Sequence, residues 1–369
     1  MAQFLDALIV CVLTLLGGEE VQIPSLKQDP PAEVDAHRQR MQNTVYPWYD
    51  LSETGTFSGV GDVTINYRIF PSAAPSNMAL FFLHGASEVM DKYAEFLYDI
   101  RQLQPGYDIY FMEHRGMGSS GRLISESKYL YVDDFDNYVR DAKTFYDTVI
   151  SANNAYFKVF IWAHSLGAAV ATSYAQKYRN DIQGLVISSP MMEILTKFPL
   201  SLDEDVAYTT TCASTLIGQG EQLALGQELP DTLVDPTSKE SWERETVTTS
   251  WKRWTVFQEL LVNNQDWLAG GGGSTWGSTN GFAKEAYSAT FSIRKRKNAR
   301  RITAPILMFQ AGKDFIVGAE GQNTLKKNAR NARSFTVVEF EDGYHELYLE
   351  KDRIRDQVLN LTSNFLDTF

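Results

Sequence analysis

Apolar and polar positions along this chain fall into alternating blocks. Residues 55–70 (GTFSGVGDVTINYRIF) alternate apolar and polar around a Gly–Asp pair, which predicts a β-hairpin. Met78–Leu83 (MALFFL) and Tyr107–Met112 (YDIYFM) are short apolar runs, the pattern of strands buried on both faces. Residues 157–162, 182–187, 305–309 and 335–340 repeat that pattern. Between them, 92–104, 135–150, 166–178 and 346–369 carry helical spacing. The alternation predicts an α/β fold with a mostly parallel, doubly wound sheet.

The rhythm breaks between about 191 and 302. Five of the seven tryptophans (Trp242, Trp251, Trp254, Trp267 and Trp276) and a Gly-rich stretch at 270–274 lie there. This reads as an insertion, mainly helical, that caps one edge of the sheet. At the other end, residues 7–16 (ALIVCVLTLL) form a ten-residue apolar run. That is the length of a signal-peptide core, although Asp6 precedes it and no basic residue does. The length favours export (a periplasmic or secreted protein); the alternative is a short membrane-associating helix. Residues 19–45, mostly polar with Pro24, Pro30 and Pro31, read as a linker, and 46–369 as one α/β unit with its cap.

Composition narrows the function classes. The apolar fraction, 44%, is that of a packed globular chain. A net charge of −12 argues against a nucleic-acid partner. Two cysteines give no disulfide framework and no metal spacing. No apolar run reaches the ~20 residues of a membrane span. The charge is uneven: Arg294, Lys295, Arg296, Lys297, Arg300 and Arg301 contribute +6, so the rest of the chain carries −18. The run is either a solvated face or a patch for anionic lipid head groups.

Ligands of open α/β sheets bind beyond the carboxyl ends of the strands. Four of the five histidines occur in the loops at those positions: His84, His114, His164 and His345. The loop Ala163-His-Ser-Leu-Gly167 runs from a strand into an Ala-rich helix. It is a G-x-S-x-G nucleophile elbow with alanine for the first glycine. Ser165 is the candidate nucleophile, at a helix N-terminus that favours developing negative charge. A serine needs a base held by an acid, in the chain order Ser, acid, His. Asp314 follows the fifth of these apolar runs and His345 the sixth, so order and placement both fit. Glu341 and Asp342 compete for the acid role, and Ser119 and Ser120 for the nucleophile. The backbone N–H groups of Leu166 and Ala86 are the candidate oxyanion donors. Gly116 to Gly121 formally matches G-x-G-x-x-G, but no helix pattern follows at once, so the match reads as a tightly turning loop and not as a dinucleotide site. A metal site on His84, His114 and His164 lacks ligand spacing.

Together these stretches resemble the serine α/β-hydrolases of the monoacylglycerol lipase and bacterial lysophospholipase group. The matching residues include Phe81 to Glu88, Glu113 to Arg122, Ala163 to Gly167, Gln310 to Asp314 and Tyr344 to Arg355. The resemblance implies an eight-stranded α/β-hydrolase core with an inserted lid. It implies cofactor-free hydrolysis of single-acyl lipid esters by Ser165, Asp314 and His345. A general short-chain esterase or thioesterase, and a catalytically silent lipid-binding relative, are the alternatives.

Overall fold

The computed structural model describes residues 26–153, 156–196, 202–227, 237–245, 247–264 and 277–369. The apolar run 7–16, the Gly-rich 270–274 stretch, Trp267 and Trp276 lie outside these residues.

The expected hairpin forms as β1 (Glu53–Ser58) and β2 (Thr64–Phe70), paired antiparallel. Six further strands follow: β3 (Met78–Leu83), β4 (Tyr107–Met112), β5 (Lys158–His164), β6 (Gly184–Ser188), β7 (Ile306–Ala311) and β8 (Phe335–Phe340). They join the hairpin in one eight-stranded sheet of order β1-β2-β4-β3-β5-β6-β7-β8. All pairings from β4 to β8 are parallel. The apolar runs of β3 to β7 are continuous because both faces are covered, whereas the edge strand β8 is only half-buried. Phe81 and Leu83 of β3 enter one buried layer, and Leu80 and Phe82 enter the other. At about 25 cal/mol per Å² of apolar surface removed from water, these two layers supply the main drive to fold.

Apart from short helical segments at Tyr46–Tyr49 and Ser151–Asn153, the described α-helices are α1 (Pro31–Arg40), α2 (Ala94–Leu103), α3 (Asp136–Phe145), α4 (Ser165–Lys177), α5 (Glu204–Leu216), α6 (Lys239–Glu245), α7 (Trp251–Asn263), α8 (Asn280–Arg294), α9 (Arg296–Ala299), α10 (Ala319–Asn328) and α11 (Asp352–Thr368). Helices α5 to α9 make up the insertion between β6 and β7, so its expected helical character holds where it is described. Trp242 and Trp254 are buried there, each against Trp251, together with Leu26 and Tyr344.

The expected linker is corrected over 31–45. Pro31 begins α1, which continues through a π-turn at Met41–Val45 into Tyr46–Tyr49. Proline suits the first helical position because that N–H has no intrahelical partner. Val34, Met41 and Val45 are buried at helical spacing, but sparse among polar residues. The polar ones are tied down: Arg38 pairs with Glu259 of α7 at 2.7 Å, and Arg40 with Glu95 of α2 at 2.8 Å. Charge that reads as solvated in sequence serves here as docking contacts.

The basic run also gains a location. It spans the end of α8, α9 and the approach to β7, and Asn331 donates to the carbonyl of Arg300 just ahead of β8. The run therefore sits at the amino ends of the strands, opposite the edge that carries Ser165. Arg294 pairs with Glu204 at 2.6 Å, while Lys295, Arg296, Lys297 and Arg301 are exposed.

One glycine fixes how closely α4 approaches the sheet. A Cβ on Gly167 would lie 2.4 Å from the carbonyl oxygens of Leu83 and His84. Gly167→Ala is expected to lower stability by ~1–3 kcal/mol, the usual cost of overpacking. Urea denaturation measures it, and an unchanged midpoint would contradict this close approach.

Candidate active site

Strand β5 ends at His164, and α4 begins at the next residue. The reversal places Ser165 at φ 49°, a left-handed conformation that costs a non-glycine residue roughly 1–3 kcal/mol. Its neighbours meet the space requirement: Ala163 and Ala168 are fully buried, and Gly167 lies on the β3 backbone. Alanine at 163 is accommodated because it only has to fit between Leu83 and Ile187 in the sheet.

The three residues singled out by order and placement meet. The Ser165 Oγ lies 2.9 Å from His345 Nε2, and His345 Nδ1 lies 2.8 Å from Asp314 Oδ2. The other Asp314 oxygen accepts the backbone N–H groups of Ile316 (2.9 Å) and Val317 (3.1 Å), which fixes the carboxylate's orientation. Asp342, the competing acid, instead faces outward, 63% exposed, and pairs with Lys313 and Arg353. Ser120, a competing nucleophile, is used structurally: its Oγ accepts the N–H of Asn66. The Gly116–Gly121 stretch folds as a tight turn around Glu113, with Gly116 and Gly118 at positive φ. A Cβ on Gly118 would fall on the Glu113 carboxylate, so the second glycine serves this turn and not a phosphate.

The other loop histidines are structural. The N–H of His114 donates to His84 Nε2 at 3.0 Å. This leaves Nδ1 of His84 protonated, and it donates to the Gly85 carbonyl at 2.7 Å. His84 thus orders its loop. His164 packs its ring 4.7 Å from the His345 ring and meets the Ser188 carbonyl through Nδ1 at 3.2 Å. These three do not converge on a common point. Of the two candidate oxyanion donors, Leu166 is buried and Ala86 half-buried, and among the described residues neither N–H has an acceptor. The Gly85 N–H is already taken by Glu88 at 2.6 Å.

Sequence reasoning passed over a second layer. Glu88 and Glu346 are buried beside His164, with the Lys92 ammonium between the two carboxylates. Three such side chains share the spacing of a metal site, but the lysine already supplies the cation. The sequence marks this cluster only by local spacing: Lys92 stands four positions after Glu88, and Glu346 directly follows His345.

Burial alone would lower the pKa of His345. The charge and hydrogen bond of Asp314, with Glu346 and Glu88 behind it, outweigh burial and raise it above the ordinary 6.5. Burial pushes His164 down to about 3 against the pull of Glu88, and lowers His84 and His114 as well.

Residues 74–352 match the family model described as serine aminopeptidase, S33. The chain belongs to this family of serine α/β-hydrolases. A probable lysophospholipase L2 of Haemophilus influenzae is 28% identical, the match covering 87% of this chain and 94% of that protein. A monoglyceride lipase of Mus musculus is 24% identical over 80% of this chain and 84% of its own. Among solved structures, a thermostable carboxyl esterase from Bacillus coagulans superimposes with a TM-score of 0.65 at 14% identity, over 86% of this chain and 98% of that one. That likeness shows the α/β-hydrolase fold.

The four buried loop histidines should separate on titration. Nitrogen-15 NMR is expected to find one imidazole, that of His345, protonating above pH 6.5, with His84, His114 and His164 neutral well below it. A normal or depressed value for His345 would contradict the proposed balance of burial against Asp314.

Proposed function

We propose that the protein hydrolyses single-acyl lipid esters through an acyl-enzyme on Ser165. The observation that carries this reading is the hydrogen-bonded chain from Ser165 through His345 to Asp314, set beside an apolar cavity under the cap. The cavity has a volume of about 420 Å³. Its walls include Ile194, Leu202 and Ala207, then Phe282, Ala286 and Tyr287 of α8. Ser87, next to Ala86, and Ile316, two residues past Asp314, bring it up to the catalytic loops. No carboxylate is among its described lining residues, so it offers an acyl chain a wall but offers a peptide's amino terminus no counter-ion. The names of the bacterial and mouse relatives point to the same substrate class.

In this reading His345 takes the Ser165 proton as Oγ attacks the ester carbon. The N–H groups of Ala86 and Leu166 hold the oxyanion. The imidazolium, stabilised by Asp314, then gives its proton to the departing alcohol, and water repeats the sequence to release the fatty acid. No other group is required for any of these proton transfers.

Four outcomes follow. Ser165→Ala should lose labelling by a fluorophosphonate probe and several powers of ten in kcat; activity at the parent rate would sink the assignment and leave another nucleophile, whereas a parent protein that takes no label would be a silent relative. The base must be neutral to act, so activity should fall as the pH drops through a value above 6.5. Asp314→Asn removes the charge that raises His345; it should cut kcat by ~10⁴ and move the acid limb of any residual activity downward. An unmoved limb at full activity would shift the acid role elsewhere. Ala286→Trp should narrow the cavity and depress kcat/KM for long-chain monoacylglycerols and lysophosphatidylcholine while sparing p-nitrophenyl acetate. Equal loss on all substrates would favour a general short-chain esterase or thioesterase.

A further inference from the structure

The loop that carries Ala86 and the loop that carries His345 come from distant parts of the chain, yet one buried carboxylate contacts both. Glu88 is only 4% exposed. Its Oε2 accepts the Gly85 N–H at 2.6 Å and the Tyr93 hydroxyl at 2.5 Å. Its Oε1 accepts the Tyr348 hydroxyl at 2.8 Å and the Lys92 ammonium at 3.2 Å. Lys92 also donates to Oε1 of Glu346, the residue after His345. The rings of Tyr93 and Tyr348 stack 4.3 Å apart at 7°, so the two loops are clamped by packing as well as by charge.

We infer that Glu88 is a positioning residue, whose buried bridge through Lys92 to Glu346 fixes the Ala86 loop in register with His345. This rests on the reading of Ser165, His345 and Ala86 given above. Ser87 is held at φ 60°, a conformation that a serine keeps only where its surroundings impose it. With the Gly85 N–H committed to Glu88, Ala86 is the first amide of this turn with no acceptor among the described residues. A carboxylate suits the role because it accepts four donors and donates none; a glutamine would turn two of its own N–H bonds toward them. A single ionised carboxylate this deep is tolerable only when it is fully paired, and Lys92 with two tyrosine hydroxyls and one amide provides that.

The bridge also brings charge to the base. Glu346 and Glu88 both act to raise the His345 pKa, behind Asp314. Burial pushes Glu346 itself up to about 7, with Lys92 acting in the opposite direction. The groups facing His345 are then Asp314 from the loop after β7, Ser165 and His164 from the β5–α4 turn, and Glu346 in its own loop.

Purified Glu88→Gln, Lys92→Met and the double variant test this, with rates normalised to fluorophosphonate-titrated sites. Glu88→Gln is expected to lower kcat by ten- to a hundredfold, below the ~10²–10³ of losing an oxyanion donor outright, with KM within about twofold. Affinity for a trifluoromethyl ketone analogue, whose adduct places an oxyanion in the hole, should fall in parallel. The double variant removes Glu88 and Lys92 together, and Glu346, which burial already pushes up to about 7, goes neutral without the ammonium that lowers it; the thermal midpoint should recover toward the parent while kcat stays low. If the folded Glu88→Gln keeps the parent kcat, or if kcat in the double variant recovers with the midpoint, the carboxylate only holds the core together and the inference is overturned. Should Glu88→Gln fail to fold, Tyr348→Phe removes one donor alone; a lower kcat at the parent midpoint supports the inference and an unchanged kcat overturns it. Retained activity in Ser165→Ala would instead overturn the triad reading beneath it.

Discussion

The turn at Ser165 is the constraint on which the rest of the site depends. A residue held at φ 49° between a central strand and a helix must be surrounded by atoms that prevent relaxation. Here they come from both sides: Gly167 brings α4 onto the carbonyls of β3, and Ser165's own carbonyl accepts the Met191 N–H beyond β6. The same close approach sets Leu166 and Ala86 beside each other's loops, because β3 leads into one and β5 into the other. Sheet order does the remaining work. With β5, β6, β7 and β8 adjacent, the loops after β5, β7 and β8 open on one edge, where residues 165, 314 and 345 converge.

Around that turn the molecule keeps two electrostatic layers. Asp314 and His345 form the inner one, in which a carboxylate fixed by two backbone N–H groups raises the imidazole against its burial. Glu88, Lys92 and Glu346 form the outer one. Both layers sit where water is excluded, so each charge interacts more strongly than it would at the surface. The exposed basic run contrasts with them: it lies at the opposite edge of the sheet, and Arg294 is already paired with Glu204.

Much of this was legible in the sequence, because the central strands β3 to β7 are buried on both faces and therefore announce themselves as apolar runs. Six strands rest on apolar runs and the other two on the hairpin's alternation, and the β5–α4 boundary is marked by Ala163 and Gly167 as well. Asp314 could be placed by chain order, whereas its advantage over Asp342 rests on orientation that spacing cannot convey. Helix α1 and the π-turn after it escaped notice because only Val34, Met41 and Val45 mark their apolar side and their charges read as solvent-facing. Glu88 and Lys92 were hidden for a related reason. Their pairing partners, Tyr348 and Glu346, lie some 250 residues further on, and only the folded sheet brings them together.

The central claim is a covalent acyl group on Ser165. The most direct measurement is rapid acid quench during turnover of a p-nitrophenyl ester, followed by peptide mapping by mass spectrometry. The account predicts an adduct of fatty acid less water on the peptide carrying Ser165, absent from the Ser165→Ala protein. The same adduct on another side chain, Ser119 or Ser120 included, would contradict it.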